Sequence, residues 1–124
     1  MTTAEPRRGS AGLFGRTSRH ARHDLDETIH QPVRLSVVAT LYHAQRVDFA
    51  FLRRHLDVTE SNLSRHLSAL EEAGYVLVDK VFERKRPRTW LSLTPSGRRA
   101  FESHLDALRR IVEGRSGGAD QGAP

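Results

Sequence analysis

Ser61, Asn62, Ser64, Arg65 and Ser68 stand within the stretch TESNLSRHLSALEEAGY at residues 59–75, and RKRPR at 84–88 adds four cations with no acid among them. Side chains of these types recognise rather than react: they are hydrogen-bonding groups and fixed positive charges suited to a polar, anionic surface. Recognisable arrangements that make and break bonds are missing. The sequence holds no Gly-rich phosphate loop, no HExxH pair, no nucleophile elbow and no cysteine, and its acids are dispersed. No catalytic residue is expected, and the chain does not read as an enzyme.

A helix is what would display the first group together. Helical numbering puts Leu63, Leu67 and Leu70 on one stripe and Ser61, Arg65, Ser68 and Glu72 on the opposite side. Thr59 stands where an N-cap would, and Ala73 and Gly74 end the run with the residue that most easily turns left-handed. A short helix with leucines behind and Ser, Asn and Arg in front fits the DNA major groove. His66 lies beside the leucine stripe and is expected to be a hydrogen-bonded residue at the edge of the core.

The remaining elements have to hold that helix. Ala21, Leu25 and Ile29 fall at helical spacing and predict a thinly apolar helix over 20–29 that needs a partner surface. Pro32 restarts the chain as the first residue of a helix carrying Val33, Val37, Val38 and Leu41. Arg46 to Asp48 is expected to be a turn, with Asp48 capping a helix FAFLRRHL that buries Phe49, Leu52 and Leu56. Phe51 lies off this stripe, either more widely buried or an exposed aromatic anchor. After Gly74 the apolar period changes to 2: VLVDKVFE and TWLSL predict two strands, with RKRPR as a loop because its proline does not suit a central strand. Thr94 and Pro95 open a closing helix with Phe101, Leu105, Leu108 and Val112 on one stripe, and Ala100, Ala107 and Ile111 beyond it, an apolar excess expected to form an isologous dimer interface together with the helix over 20–29. The order is α-α-α-α-β-β-α, mainly α with a small β-hairpin, which is a winged helix-turn-helix.

With 124 residues, a single domain with flanking dimerisation helices is expected over 20–113, between a disordered basic arm at 1–19 and a disordered tail at 114–124. The formal net charge is +5 and the sequence pI about 10.6, so an acidic partner is implied but not identified. Five arginines fall within residues 1–24 and four cations within 84–88, two separate basic features flanking the central helix that suit a duplex backbone better than evenly spread charge would. An ordinary soluble Arg-rich surface is the competing reading. Without cysteine there is neither a disulfide nor a thiolate metal site. His20 and His23 lack a third ligand nearby, so neither a metal nor a cofactor is expected. No apolar run spans a bilayer and no secretory leader is recognisable, so a cytoplasmic protein without a membrane partner is expected.

LSRHLSALEEAGYV at 63–76 and RPRTWLSLTPSGRRAF at 86–101, with the Pro32 to Leu35 start, resemble the winged-helix DNA-binding domains related to the MarR and ArsR transcriptional regulators. The resemblance covers roughly residues 30–112. It implies a homodimeric regulator of double-stranded DNA that places helix 59–73 in the major groove and wing 84–88 on the flanking backbone or minor groove. On matching positions it implies that Thr59, Ser61, Asn62, Ser64, Arg65 and Ser68 contact bases or phosphates, and that Arg84, Lys85, Arg86 and Arg88 form the wing. Arginine can pair with guanine O6 and N7, asparagine with adenine N6 and N7, and serine mostly reaches phosphate. The MarR likeness also allows an unidentified small-molecule effector, with Tyr42, Phe51 and Trp90 as the available aromatic groups. The alternative is a winged-helix module for protein–protein contact, because the fold alone does not dictate its partner.

Overall fold

The computed structural model describes residues 19–115, and the chain divides into two compact units, Asp26–Glu102 and Met1–Leu25 with Ser103–Pro124. Residues 1–18 and 116–124, which hold most of the expected arm and tail, lie outside the described residues.

In the larger unit, α1 (Pro32–Tyr42) begins where the Gln31 side chain accepts the Arg34 N–H at 2.8 Å, and it buries Val37, Val38 and Leu41. β1 (Val47–Asp48) leads into α2 (Phe49–Leu56), capped by Asp48. Asp57 closes α2 in the left-handed region at φ 55 and ψ 54, a conformation that aspartate tolerates better than bulkier residues. That sharp bend sets α3 (Glu60–Glu72) at its new direction. Thr59 Oγ1 accepts the Asn62 N–H at 3.1 Å at its start, and Leu63, His66, Leu67 and Leu70 are buried. At its end Gly74, with φ 82, donates to Glu71 O at 2.9 Å and Tyr75 donates to Leu70 O at 3.0 Å. This pair of backward bonds is the Schellman closure, which turns the chain directly into the sheet.

β2 (Val76–Glu83) and β3 (Arg86–Leu93) run antiparallel from Val76↔Leu93 to Glu83↔Arg86, and β1 joins the other side of β3 through Val47↔Leu91 and Asp48↔Trp90. Among the described residues this gives a three-stranded sheet with four α-helices, the last being α4 (Pro95–Val112). Thr94 binds two elements at once: its Oγ1 accepts the Gly97 N–H at 2.9 Å and donates to Gly74 O at 2.7 Å. A Cβ on Gly97 would lie 2.2 Å from Tyr75 O, so only glycine admits this approach of α4 to the backbone after α3. Tyr75 OH donates to Asp26 Oδ2 at 2.6 Å, while Asp26 Oδ1 accepts the Thr28 and Ile29 N–H groups at 2.9 and 3.0 Å. The core that these contacts surround includes Ile29, Val38, Leu41, Leu52, Leu63, Leu70 and Leu91, all fully buried.

In the smaller unit, Arg110 pairs with Asp24 at 3.0 Å and with Asp106 at 2.9 Å, Arg19 also binds Asp24, and Ala21, His104 and Ala107 are fully buried. Gly114 and Arg115, assigned by sequence to the tail, close α4 by bonds to Ile111 O and Arg110 O.

Several expectations need correction. The helix over 20–29 is only a 3-10 turn at Ala21–Asp24, followed by an extended Leu25 and a separate turn. The His20 ring takes the Arg22 N–H, and Asp26 takes two further N–H groups, so side chains satisfy donors that a helix would have used. Val47 and Asp48 pair as β1 instead of turning. RKRPR is a loop only at Arg84 and Lys85, since Arg86, Pro87 and Arg88 belong to β3. Pro87 is tolerated because β1 covers only Trp90 and Leu91, leaving that edge of β3 open at the wing. In a two-residue hairpin the Phe82–Pro87 pair is a non-hydrogen-bonded one, so the missing N–H falls on that open edge. Along α4, Phe101, His104 and Ala107 are buried, whereas Leu105 and Val112, placed by sequence on the buried stripe, are 37% and 84% exposed. Phe51 is 46% exposed and stacks on His55 with centroids 5.4 Å apart.

Candidate nucleic-acid interface

With its leucines inward, α3 turns Ser61, Ser64, Arg65 and Ser68 to solvent, with Asn62 half-buried beside them and Thr59 exposed at the cap. Arg65 Nη2 donates to Asn62 Oδ1 at 2.6 Å. The carboxamide thereby steadies the guanidinium on the helix surface, and neither the other Arg65 donors nor the Asn62 amide N–H groups are used in that bond. Thr59, Glu60, Ser61, Ser64, Arg65 and Ser68 share one open, shallow surface.

Ser64 and Ser68 also form one wall of a groove whose opposite wall is Val78, Lys80 and Thr89 of the hairpin. Lys80 therefore stands across from the serines of α3 and belongs with them. Strand alternation puts Lys80 on the face of Val76 and Val78, a parity present in the sequence, but the sequence expectations did not include it among the site residues. Glu60 and Glu71 lie along the same groove and bias phosphate toward the Lys80 wall.

The wing tip is a two-residue turn at Arg84 and Lys85, with φ values of 51 and 65. Positive φ at both positions is the type I′ geometry, which suits the twist of the strands and normally favours Asn-Gly. Arg84, Lys85 and Arg86 are exposed, and among the described residues none of them is within ion-pair distance of an acid. Arg88 differs. Its guanidinium pairs with Asp48 at 3.2 Å and Glu83 at 3.7 Å and lies 4.5 Å from the Trp90 ring centroid. Arg46 covers Trp90 at 3.7 Å, and Trp90 Nε1 donates to Glu83. The outward face of the wing is closed by its own side chains.

Behind α3, His66 is 7% exposed and its Nδ1 lies 3.1 Å from Arg34 Nη1. Since arginine can only donate, Nδ1 accepts, and the proton sits on Nε2. Burial first, then the positive charges of Arg34 and Arg65, hold its pKa below the ordinary histidine value. Arg34 Nε also donates to Thr28 O at 2.5 Å, so a neutral histidine ties α3 to α1 and to the segment before it. Hydrogen bonding to Asp26, followed by burial, pushes Tyr75 up to about 12.

Among the described residues no cluster of metal-binding side chains occurs and no helix is long and apolar enough to cross a membrane.

A model of the winged helix DNA-binding domain family matches residues 33–112. An uncharacterized protein of Methanocaldococcus jannaschii is 36% identical over 79 residues, which is 64% of this chain and 86% of that protein. Among solved structures, the transcriptional regulator homologue protein from Pyrococcus horikoshii OT3 is similar with a TM-score of 0.68 at 30% identity, over 72% of this chain and 88% of that one. MarR is similar in fold, with a TM-score of 0.64 at 19% identity over 73% of this chain and 66% of its own.

Proposed function

The chain belongs to the winged helix DNA-binding domain family and is a transcriptional regulator related to MarR, and from that premise we propose that it binds DNA sequence-specifically as a homodimer. In this reading α3 enters the major groove, Arg65 and Asn62 face base edges, and Thr59, Ser61, Ser64 and Ser68 reach phosphates or bases. Arg84, Lys85 and Arg86 lie along the flanking backbone or minor groove, while Arg88 holds the wing in position through Asp48 and Glu83. The observation that carries the reading is the exposed polar face of α3 directly across a groove from Lys80, with an exposed cationic turn on the same hairpin.

Each subunit would supply one recognition helix, so two half-sites about one helical turn apart are expected. Ala107, expected from sequence at the subunit interface with Ala100 and Ile111, is fully buried within its own subunit, whereas Leu105 and Val112 of α4 stay exposed and are the proposed contacts between subunits. An effector would find aromatic rings and the Arg98 guanidinium in the hollow lined by Tyr42, His43 and Arg98, a match for an aromatic carboxylate such as benzoate. A rise in melting temperature with benzoate, lost in Arg98→Ala, tests that assignment. No catalytic role is assigned, since family and fold are those of a regulator.

Binding of Arg65→Ala to a selected duplex and to unrelated duplexes tests the reading. A loss of about 1–3 kcal/mol confined to the selected site is expected for a base contact. Equal loss on all sequences would place Arg65 on the backbone, and no loss would remove α3 from the interface. The protein-contact alternative gains no specific support from the small polar side chains on this face.

A further inference from the structure

Phe82 is 73% exposed although it sits inside β2, paired with Pro87 across the hairpin. Strand alternation puts it on the face of Val76, Val78 and Lys80. That row leaves the core at Val78, passes the groove wall at Lys80 and ends at the wing tip with an aromatic ring. The opposite face of the hairpin is covered by Arg46, Arg88 and Trp90, so Phe82 has no place in that packing. A large apolar group held in water by a short, well-paired hairpin contributes little to the fold.

We propose that Phe82, backed by Pro87, is an apolar contact of the wing with the minor groove of the duplex flanking the α3 site. The proposal rests on the DNA-binding reading above. Charge selects this occupant: Lys80 shares the face of Phe82, Arg84 and Lys85 form the turn just beyond it, and the acid nearest in sequence, Glu83, is occupied by Trp90 and Arg88. Cations bring the tip to the phosphates, and the ring then covers deoxyribose and base edges or wedges against a base step, as apolar side chains do in minor-groove proteins.

The test compares the full chain with Phe82→Ala and Phe82→Leu on a duplex selected from a random pool, measuring affinity over a salt series, hydroxyl-radical protection, sedimentation and melting temperature. Phe82→Ala is expected to weaken binding about ten-fold, the scale of losing a partly buried aromatic contact. Because no counterion is involved, its salt slope should match that of the unaltered chain. Protection should disappear from the flank only, melting and sedimentation should not change, and Phe82→Leu should recover most of the affinity. Affinity within about two-fold of the unaltered chain, or unchanged flank protection, would overturn the proposal. So would altered sedimentation of the free variant, which would place Phe82 in a protein contact. If Arg65→Ala abolishes site preference while Phe82→Ala changes nothing, only this contact fails. If the unaltered chain selects no DNA, the underlying reading fails with it.

Discussion

Replacing the wing turn Arg84-Lys85 by Asn-Gly should stabilise the protein and weaken its hold on DNA in the same molecule. Both residues occupy the left-handed region, at φ 51 and φ 65. An L side chain there costs roughly 1–2 kcal/mol, so the two together store roughly 2–4 kcal/mol, part of which asparagine would still retain. A net gain of about 1–2 kcal/mol is expected, which for a domain of this size raises the melting temperature by roughly 5–10 °C. The same double substitution removes two cations. If each neutralises one phosphate, the slope of log affinity against log salt becomes shallower by about 1.8. Circular dichroism melts and fluorescence anisotropy of a labelled duplex over a salt series measure the two effects. Unchanged melting would refute the strain argument. An unchanged salt slope would show that the tip does not approach phosphates. Arg84→Asn and Lys85→Gly alone then divide each effect between the positions.

Three further outcomes concern the frame behind α3. Gly97→Ala forces a Cβ to within 2.2 Å of the Tyr75 carbonyl oxygen, a backbone clash expected to cost at least about 2 kcal/mol in urea unfolding; a neutral result would mean that α4 can shift freely. His66 is neutral when buried, with its pKa depressed in the fold. The unfolded chain therefore binds the extra proton, so this contribution is complete above about pH 6.5 and declines as pH falls toward the lower folded value, by up to about 1.4 kcal/mol per pH unit. Urea midpoints between neutral and acid pH should show that decline, and His66→Gln should flatten it; equal slopes in both proteins would contradict the assignment. Tyr75→Phe removes the bond to Asp26 and should cost about 1–2 kcal/mol. The raised value, about 12, means that this contribution holds below pH 10 and is lost as pH rises through the folded pKa, which ultraviolet titration of the phenol follows.

The central stretch was legible because burial and capping there obey one-dimensional rules. Leu63, Leu67 and Leu70 fall at helical spacing and are buried, Thr59 is the cap, and Gly74 takes the positive φ its position demanded. The start of α1 at Pro32 and the cap at Asp48 followed the same logic. Illegible features depended on partners distant in sequence or on local side chains competing for backbone N–H groups. β1 exists through Leu91 and Trp90, far along the chain from Val47 and Asp48. The helix expected over 20–29 was displaced by the His20 and Asp26 side chains, whose competition for N–H groups leaves no periodic mark. On α4 the buried face follows Phe101, His104 and Ala107, and a histidine inside a stripe is not readable from hydropathy. Lys80 joined the candidate site only once the hairpin was set beside α3, and Arg88, which looked like a fourth free cation, carries two carboxylates that sequence could not assign to it.

The most direct test of the interface formed by α3 and the wing is selection of duplexes from a random pool by the full-length chain. The expected result is enrichment of a two-fold symmetric motif with half-site centres about 10 base pairs apart, bound more weakly as salt rises. A pool that emerges without sequence preference would contradict it.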